Sequence, residues 1–230
     1  QIQKHVLLAN KIKARFKPSE TKKMEKIISQ YQKEMILKNK KIIVLEGIDG
    51  SGKTSQISKL KCTLKEKGHS VKVMCETRNR LAKKLGKHLE KGESFKQMLL
   101  FGALRVETIM NMLESEEDII IYDRFFLSSI AYQSQKDIRM EMITKRVNEL
   151  ILSFYGIKPL LTIYLNIELK EAIKRIEKRE NRRLLSREKK GLRKAKLLYE
   201  KHSKEMKIIN SNQAIEKVSS DIEQLVSNVI

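Results

Sequence analysis

Tryptophan is absent from this sequence of 230 residues, and cysteine and proline occur only twice each. Two cysteines, Cys62 and Cys75, are too few for a disulfide framework or a zinc site. No apolar stretch reaches the roughly 18 residues that a membrane-spanning helix needs. The first residues also lack the apolar core of a signal peptide, because Val6-Leu7-Leu8 is too short. These absences predict a cytoplasmic protein without a membrane partner.

Acidic residues are scarce relative to basic ones, with 28 Asp and Glu against 49 Lys and Arg, and the formal net charge is +21. The excess is concentrated in two blocks. Residues 1–41 carry 12 basic residues against three glutamates, and residues 170–201 carry 14 against five. An evenly basic protein would indicate general nucleic-acid affinity, whereas two blocks indicate two local roles. We therefore expect small-molecule partners rather than nucleic acid, with the second block able to hold a triphosphate.

Residues 1–40 are predicted to form a basic extension of two amphipathic helices. Pro18 interrupts the first helical pattern, and Ser19 or Thr21 can cap the second. The second pattern carries an apolar stripe close to i, i+3, i+4, i+7, at Met24, Ile27, Ile28, Tyr31, Met35 and Ile36. Such a stripe packs on another surface, and the main domain, a second subunit and a further partner all stay open. Because residue 1 is glutamine, we expect the numbering to start inside a longer chain.

From Lys41 onward, apolar β-branched runs alternate with helical patterns. Strands are predicted at 41–46, 70–75, 118–122, 160–165 and 207–209. Long helices are predicted near 95–114, 138–155, 168–180, 188–204 and 213–228. This alternation predicts an α/β fold, a five-stranded parallel sheet with helices on both faces that binds ligands at the carboxyl ends of its strands. Residues 41–230 suffice for one such domain beside the extension.

A glycine-rich loop follows the first strand directly. It matches the P-loop pattern G-x-x-x-x-G-K-[ST] and is followed by the helical spacing of Ile57, Leu60 and Leu64. A loop of this kind points backbone N–H groups and the positive end of a helix dipole at a phosphate. We predict that it binds ATP through Gly47, Ile48, Asp49, Gly50, Ser51, Gly52, Lys53, Thr54 and Ser55. Lys53 supplies a cation to the β- and γ-phosphates, and Thr54 supplies a hydroxyl ligand to Mg²⁺.

The third strand is followed by Asp123 and Arg124, at the edge of the sheet where ligands bind. An acid at a strand end beside a P-loop can hold the water shell of Mg²⁺. The arginine fork can bind two phosphate oxygens at once. We therefore predict Asp123 as a metal-site residue and Arg124 as a phosphate ligand, with an ordinary surface ion pair as the alternative.

Three ordered motifs lie between residues 41 and 210. Residues 45–56 read Leu-Glu-Gly-Ile-Asp-Gly-Ser-Gly-Lys-Thr-Ser-Gln, residues 99–105 read Leu-Leu-Phe-Gly-Ala-Leu-Arg, and residues 123–133 read Asp-Arg-Phe-Phe-Leu-Ser-Ser-Ile-Ala-Tyr-Gln. Together they resemble the thymidylate kinase family of P-loop nucleoside monophosphate kinases. The resemblance implies the three-layer fold of that class, transfer of the ATP γ-phosphoryl group to dTMP for dTTP synthesis, dependence on Mg²⁺, and a homodimer.

The resemblance also implies roles for residues around the acceptor nucleotide. Phe101 would stack on thymine, and Arg105 would hydrogen-bond the base edge or a neighbouring phosphate. Tyr132 would lie under the deoxyribose, and Ser129 or Gln133 would meet the imide edge of the base. The acceptor phosphate would be held by Arg124, and Asp49 would lie near the sugar 3′-OH and the metal.

Some members of this family carry a catalytic arginine in the P-loop, and others supply arginines from a mobile lid. Gly50 indicates the second type. The basic segment around residues 178–190 lies where that lid belongs, and its candidates for the catalytic arginine are Arg179, Arg182, Arg183 and Arg187. Delivery of an arginine to the transferring phosphoryl group contributes about 10³-fold or more in rate.

One segment departs from the pattern of the family. Where family members usually read Arg-Glu-Pro-Gly-Gly-Thr after the second strand, this chain reads Cys-Glu-Thr-Arg-Asn-Arg at 75–80. The usual loop helps to seat the acceptor phosphate, so Arg78 or Arg80 is predicted to take over that contact. The altered loop leaves open a kinase of another nucleoside monophosphate or of a deoxynucleoside. The basic extension leaves open a second alternative, a non-catalytic module that binds nucleotide or nucleic acid.

Overall fold

The structure is a computed structural model that describes residues 40–78, 94–134 and 138–230, together with Ala82 and Lys84. The chain divides into two compact units, residues 1–39 and residues 40–230. The predicted extension, residues 1–40, falls outside the described residues except for Lys40, and Arg80 lies outside them as well.

Five parallel strands form one sheet in the order β2-β3-β1-β4-β5. Their bounds are Lys41–Glu46 for β1, Val71–Met74 for β2, Ile119–Asp123 for β3, Leu161–Asn166 for β4 and Lys207–Asn210 for β5. The prediction of five parallel strands is confirmed, and each predicted strand is found within one residue of its expected ends. Because β1 lies between β3 and β4, the loop that follows it opens at the centre of the sheet.

Seven α-helices are present in the part of the chain that the structure describes. They are α1 Lys53–Glu66, α2 Ser94–Leu113, α3 Phe126–Gln133, α4 Ile138–Tyr155, α5 Leu169–Glu180, α6 Ser186–His202 and α7 Ile215–Ser227. Short 3₁₀ turns lie at Glu76–Arg78 and Ser203–Glu205. None of the described helices is both long enough and apolar enough to cross a membrane.

The helix α3 was not predicted, because eight residues are too few for a helical period to stand out from a continuous apolar run. The predicted helix at 188–204 begins two residues earlier and ends in the second 3₁₀ turn. Its start is set by Glu188, whose carboxylate accepts the N–H of Leu185 at 2.7 Å and so caps the helix.

Two apolar layers cover the sheet. On one face, side chains such as Ile43 and Leu45 pack against α1 and α7, and on the other, Ile48 and Tyr164 pack against α3, α5 and α6. Ile43, Val44 and Leu45 are fully buried. Such continuous apolar runs are typical of parallel strands covered on both faces, and each side chain of this kind contributes about 1.5–3 kcal/mol by its burial. This confirms the predicted three-layer α/β fold.

Candidate active site

The P-loop has the tight geometry that its glycines predict. Gly50 and Gly52 have φ angles of +81° and +90°, which favour glycine, and Gly47 has φ of +150°. A Cβ atom on Gly47 would lie 2.9 Å from the Leu165 carbonyl oxygen. A Cβ on Gly50 would lie 2.5 Å from the Ala172 carbonyl oxygen in α5. The loop is therefore enclosed by β4 and α5, and no side chain fits at Gly50 unless α5 moves.

Lys53 points back into this loop. Its ammonium group donates to the carbonyl oxygens of Gly47 at 2.8 Å and Ile48 at 2.9 Å, and to Ser51 Oγ at 3.3 Å. Burial lowers the pKa of Lys53 to about 7, and the nearby Arg124 cation acts in the same direction. A phosphate bound beside Lys53 would raise this pKa again and so favour the charged form of the lysine.

Thr54 and Ser55 lie in the first turn of α1 with exposed side chains. Asp123 is the last residue of β3, is 5% exposed and accepts a hydrogen bond from Arg78 Nη2 at 3.3 Å. Hydroxyl and carboxylate oxygens are hard donors that suit Mg²⁺, which usually takes one or two protein ligands and completes its shell with water and phosphate. The donor set therefore fits the predicted metal, although among the described residues no cluster of three or more His, Cys, Asp and Glu forms a cage for an ion.

Arg124 lies at the centre of the site in an unusual backbone conformation, with φ of +70°. Its Nη1 atom donates to the Gly47 carbonyl oxygen at 3.0 Å, and its Nη2 donates to Asp49 Oδ1 at 2.6 Å. Desolvation works against its charge, but the neighbouring acidic groups of Tyr132, Tyr199, Asp49 and Glu46 raise the pKa of Arg124 well above its usual value. It is therefore a permanent cation that bridges the P-loop and the end of β3.

Asp49 and Tyr132 join the P-loop to α3. The Tyr132 hydroxyl accepts the N–H of Asp49 at 3.1 Å and donates to its carboxylate at 3.3 Å. The Arg124 guanidinium lies over the Tyr132 ring, 5.0 Å from its centre. Desolvation opposes ionisation of Asp49, but the cations of Arg124 and Lys53 outweigh it and lower the pKa of Asp49. The aspartate is thus held ionised beside Arg124 and Lys53, the predicted phosphate-binding groups.

A pocket of about 470 Å³ opens beside Arg124, between the ends of β2 and β3 and the helices α2 and α3. It brings together predicted residues from three separate parts of the sequence. The lining residues are Asp49, Cys75, Glu76, Thr77, Gln97, Phe101, Asp123, Arg124, Ser128, Ser129, Tyr132 and Gln133. Its volume and its mixture of aromatic and polar groups are typical of small-molecule sites. Gln133 Oε1 is buried and has no hydrogen-bond partner among the residues that the structure describes, so it can still accept from a ligand.

Arg105 lies behind this pocket rather than in it. Its side chain is fully buried, and its guanidinium donates to both Glu76 carboxylate oxygens at 2.6 and 3.0 Å and to Ser129 Oγ at 2.9 Å. A further hydrogen bond joins it to Asn148 Oδ1 in α4. Burial raises the pKa of Glu76, whereas Arg105 opposes that change. In this conformation Arg105 fixes Ser129 and the pocket wall, and its predicted contact with the base stays a prediction.

The predicted lid, residues 178–190, comprises the end of α5, a five-residue turn (the lid turn) and the start of α6. Arg182 donates to both carboxylate oxygens of Glu188, at 2.9 and 2.8 Å, and the Leu184 N–H donates to Glu177 Oε1 at 2.9 Å. Arg179 pairs with its neighbour Glu180 at 3.1 Å. Arg183 and Arg187 are exposed and make no side-chain ion pair with another described residue. Arg183 and Arg187 thus lack the close ion pairs that Arg179 and Arg182 make with described residues, and they are more available to a ligand.

Several functional residues were not predicted from the sequence. The sequence places Glu46 only within a motif and Tyr199 only within the predicted helix at 188–204, yet Tyr199 contacts Arg124 and Glu46 contacts Ser128. On the donor side, the Ser211 hydroxyl donates to the Ser51 carbonyl oxygen at 2.5 Å, and Arg175 Nη1 lies 3.9 Å from a Cβ position on Gly52. No spacing in the sequence indicates these contacts, because each joins segments at least 75 residues apart.

Comparison with known proteins extends these observations. A family model described as thymidylate kinase matches residues 45–222. A protein of Pyrococcus horikoshii named probable thymidylate kinase is 32% identical over 201 residues, which cover 81% of this chain and 95% of that protein. A protein of Methanosphaera stadtmanae with the same name is 41% identical over 146 residues, 59% of this chain and 72% of its own. A thymidylate kinase of Prochlorococcus marinus is 32% identical over 209 residues, 82% and 96% of the two chains.

Proposed function

The chain belongs to the thymidylate kinase family, and we propose that it transfers the γ-phosphoryl group of ATP to dTMP, giving ADP and dTDP for dTTP synthesis. The observation that carries this proposal is the meeting of two sites at Asp49 and Arg124. The P-loop lies on one side of this pair, and the aromatic pocket lies on the other. A donor and an acceptor phosphate bound on the two sides would approach each other there.

The donor half would be built from the P-loop. Residues 47–55 would surround the phosphates with N–H groups, and Lys53 would exchange its carbonyl partners for the β- and γ-phosphates. Thr54 and Asp123 would hold Mg²⁺, which when bound neutralises charge on the phosphates. Reaction of this kind requires little covalent help, so positioning and charge neutralisation do most of the work.

The acceptor half would be the pocket of Phe101, Tyr132 and Gln133. Phe101 is half-buried and lines the pocket, so its ring can stack on a base. Gln133 and Ser129 can hydrogen-bond an imide edge, and Arg124 can bind the acceptor phosphate as a two-pronged donor. Arg78 Nη2 lies 3.3 Å from Asp123 Oδ2. Arg78 can therefore make the contact with the acceptor phosphate that was predicted for either Arg78 or Arg80.

A second acceptor is favoured by one specific observation. Cys75, Glu76 and Thr77 line the pocket where relatives usually carry a different loop, so a different monophosphate or a deoxynucleoside is the second candidate. An ADP-release assay with dTMP, dUMP, dCMP and the deoxynucleosides tests both candidates. We expect turnover to be fastest with dTMP. Turnover of another acceptor without turnover of dTMP would overturn the proposal.

The same assay separates an enzyme from a non-catalytic module. Lys53→Ala removes the cation nearest to the donor phosphates, so turnover should fall by about 10²-fold or more while the pocket still binds dTMP. If a non-catalytic module were the correct description, wild-type protein would bind nucleotide without measurable ADP release. The predicted cytoplasmic location stays a prediction.

We further propose that the protein is a homodimer, joined through α2 and α4. Both helices carry exposed apolar side chains at multiples of about one turn: Phe95 and Leu99 on α2, and Ile138, Met142, Leu150 and Phe154 on α4. Leu150 is 70% exposed and Phe154 is 79% exposed. Gly102 on α2 lies near Ile151 and Val147 on α4, so the two helices form one continuous surface. A contiguous apolar surface of this kind is typical of a subunit interface.

A further inference from the structure

The Tyr199 hydroxyl lies beside Arg124, although Tyr199 is not among the residues that line the pocket. It belongs to α6, the helix that begins directly after the lid turn, and its side chain is fully buried. The hydroxyl oxygen is 3.3 Å from Arg124 Nη1, 2.9 Å from Glu46 Oε2 and 2.6 Å from Ser128 Oγ. This hydroxyl therefore connects α6 to Glu46 at the end of β1, to Ser128 in α3 and to Arg124, the residue that follows β3.

The direction of the hydrogen bond between Tyr199 and Arg124 follows from the groups present. Glu46 Oε1 accepts the backbone N–H groups of Phe125 and Ser128 at 2.9 and 3.3 Å, and Oε2 accepts the Ser128 hydroxyl at 2.7 Å. The Tyr199 hydroxyl has one hydrogen, which it donates either to Oε2 or to Ser128 Oγ, and in both cases its oxygen lone pairs can accept from Arg124. An arginine cannot accept a hydrogen bond, so the direction of this last contact is fixed.

The Tyr199 ring is held by contacts with two other tyrosine rings. It stacks on the Tyr164 ring with a centre-to-centre distance of 5.4 Å and an interplanar angle of 9°. The Tyr199 and Tyr132 rings make an edge contact with their centres 6.5 Å apart, and the Arg124 guanidinium lies over the Tyr132 ring. The Arg124 backbone has φ of +70°, a conformation that a non-glycine residue adopts only when its surroundings enforce it. Tyr199 and Glu46 supply part of those surroundings.

We propose that Tyr199 is a positioning residue for the acceptor phosphate: with Glu46 and Ser128 it holds Nη1 of Arg124, so that Nη2 faces Asp49 and the acceptor pocket. Tyr199 itself touches no substrate. This inference rests on the proposed function, because it requires that Arg124 binds the phosphate of a nucleoside monophosphate. It predicts that removal of the Tyr199 hydroxyl weakens the binding only of ligands that carry that phosphate.

The experiment compares Tyr199→Phe with Tyr164→Phe in the full chain. Both variants remove one buried hydroxyl from the same ring stack, but the Tyr164 hydroxyl is 3.5 Å from Asn166 and does not contact Arg124. Calorimetric titration with dTMP and with thymidine measures affinity with and without the phosphate. Since a hydrogen bond to a charged group contributes about 1.5–3 kcal/mol, Tyr199→Phe should weaken dTMP binding about ten-fold or more. Its thymidine affinity should stay within about two-fold of wild type.

Steady-state kinetics supply the second readout. Tyr199→Phe should raise KM for dTMP and leave KM for ATP near its wild-type value, whereas Tyr164→Phe should change neither. A double-mutant cycle with Arg124→Lys should show coupling, because Tyr199 acts only through Arg124. Equal losses for dTMP and thymidine, or additive losses in the cycle, would mean that Tyr199 is merely a packing residue and would overturn the inference.

A failure of the inference about Tyr199 gives a different result from a failure of the proposed function. If the acceptor panel identifies another monophosphate, the same comparison is made with that monophosphate and its nucleoside, and the same selective loss is expected. If wild-type protein binds no monophosphate more tightly than the matching nucleoside, then Arg124 holds no acceptor phosphate. Both the proposed function and the role of Tyr199 are then wrong.

Discussion

Gly50 shows how one residue restricts the chemistry that is available to the P-loop. A Cβ atom there would lie 2.5 Å from the Ala172 carbonyl oxygen and 3.0 Å from its Cα. The usual alternative at this position is an arginine, whose side chain would have to displace α5. The sequence predicted that the loop carries no arginine of its own, and the packing explains why none can be added.

Gly50→Ala should therefore be far more disruptive than Gly68→Ala. Both glycines have positive φ, of +81° and +87°, so both variants lose about 1 kcal/mol from the backbone conformation. Only Gly50 has a close neighbour, because nothing lies within 4 Å of a Cβ on Gly68. We expect Gly50→Ala to lower the free energy of unfolding by a further ~1–3 kcal/mol and to raise KM for ATP. Equal unfolding midpoints for the two variants in urea would contradict this prediction.

Lys53 gives the site a pH dependence. Burial lowers the pKa of Lys53 to about 7 in the nucleotide-free protein, so the ammonium loses its proton as pH rises through that value. A bound triphosphate favours the charged form and raises the pKa again. ATP binding at pH 8 should consequently take up close to one proton, and the affinity should fall by up to about ten-fold per pH unit above 7.

Titration calorimetry in two buffers of different ionisation enthalpy measures this proton uptake. Lys53→Arg is the control, because an arginine stays charged throughout the pH range. Proton uptake of the same size in wild type and Lys53→Arg would show that another group is responsible.

At the scale of elements, the lid turn is held by ion pairs from both of its helices. Arg182 pairs with Glu188, and the hydrogen bond from Arg182 lowers the pKa of the Glu188 carboxyl to about 2. Asn181 ends α5 in the left-handed conformation with φ of +50°. Arg182 thus shapes the turn, whereas Arg183 and Arg187 have exposed side chains without ion pairs to other described residues.

Removal of Arg183 and Arg187 together should lower kcat by about 10²–10³-fold, because a lid arginine stabilises charge on the transferring phosphoryl group. Arg193→Ala is the matched control, an exposed arginine of α6 almost two turns beyond Arg187. Single-turnover measurement of ADP formation should detect the change, with circular dichroism as the check on folding. If the double variant kept the wild-type kcat, neither arginine would take part in the mechanism.

At the scale of the whole molecule, the apolar surface of α2 and α4 tests the proposed homodimer. Leu150→Glu places a charge on a side chain that is 70% exposed in the single chain. Leu197→Glu makes the same change on α6, where the leucine is 59% exposed. We expect sedimentation to show that Leu150→Glu shifts the protein toward monomer and that Leu197→Glu does not. A monomeric wild type, or a Leu150→Glu dimer of unchanged affinity, would refute the interface.

The second test at this scale removes residues 1–39. The sheet, the pocket and the P-loop lie within residues 40–230, and Lys40 is anchored by hydrogen bonds to the Ser115 and Glu117 carbonyl oxygens at 2.7 and 2.9 Å. We expect the truncated protein to keep its phosphoryl-transfer activity, as measured by ADP release. If it stays folded but no longer binds ATP, the extension is part of the site.

The amino-acid sequence by itself determined the sheet, its parallel direction and the P-loop, because apolar runs, their periodicity and a glycine pattern are local signals. It also indicated Asp123 and Arg124, since the carboxyl end of a strand in a parallel sheet is where ligands bind. Only the tertiary structure decided that Arg105 is enclosed by Glu76 and that Tyr199 reaches Arg124. These contacts join distant segments, and their hydrogen bonds depend on distances and burial that no spacing along the chain encodes.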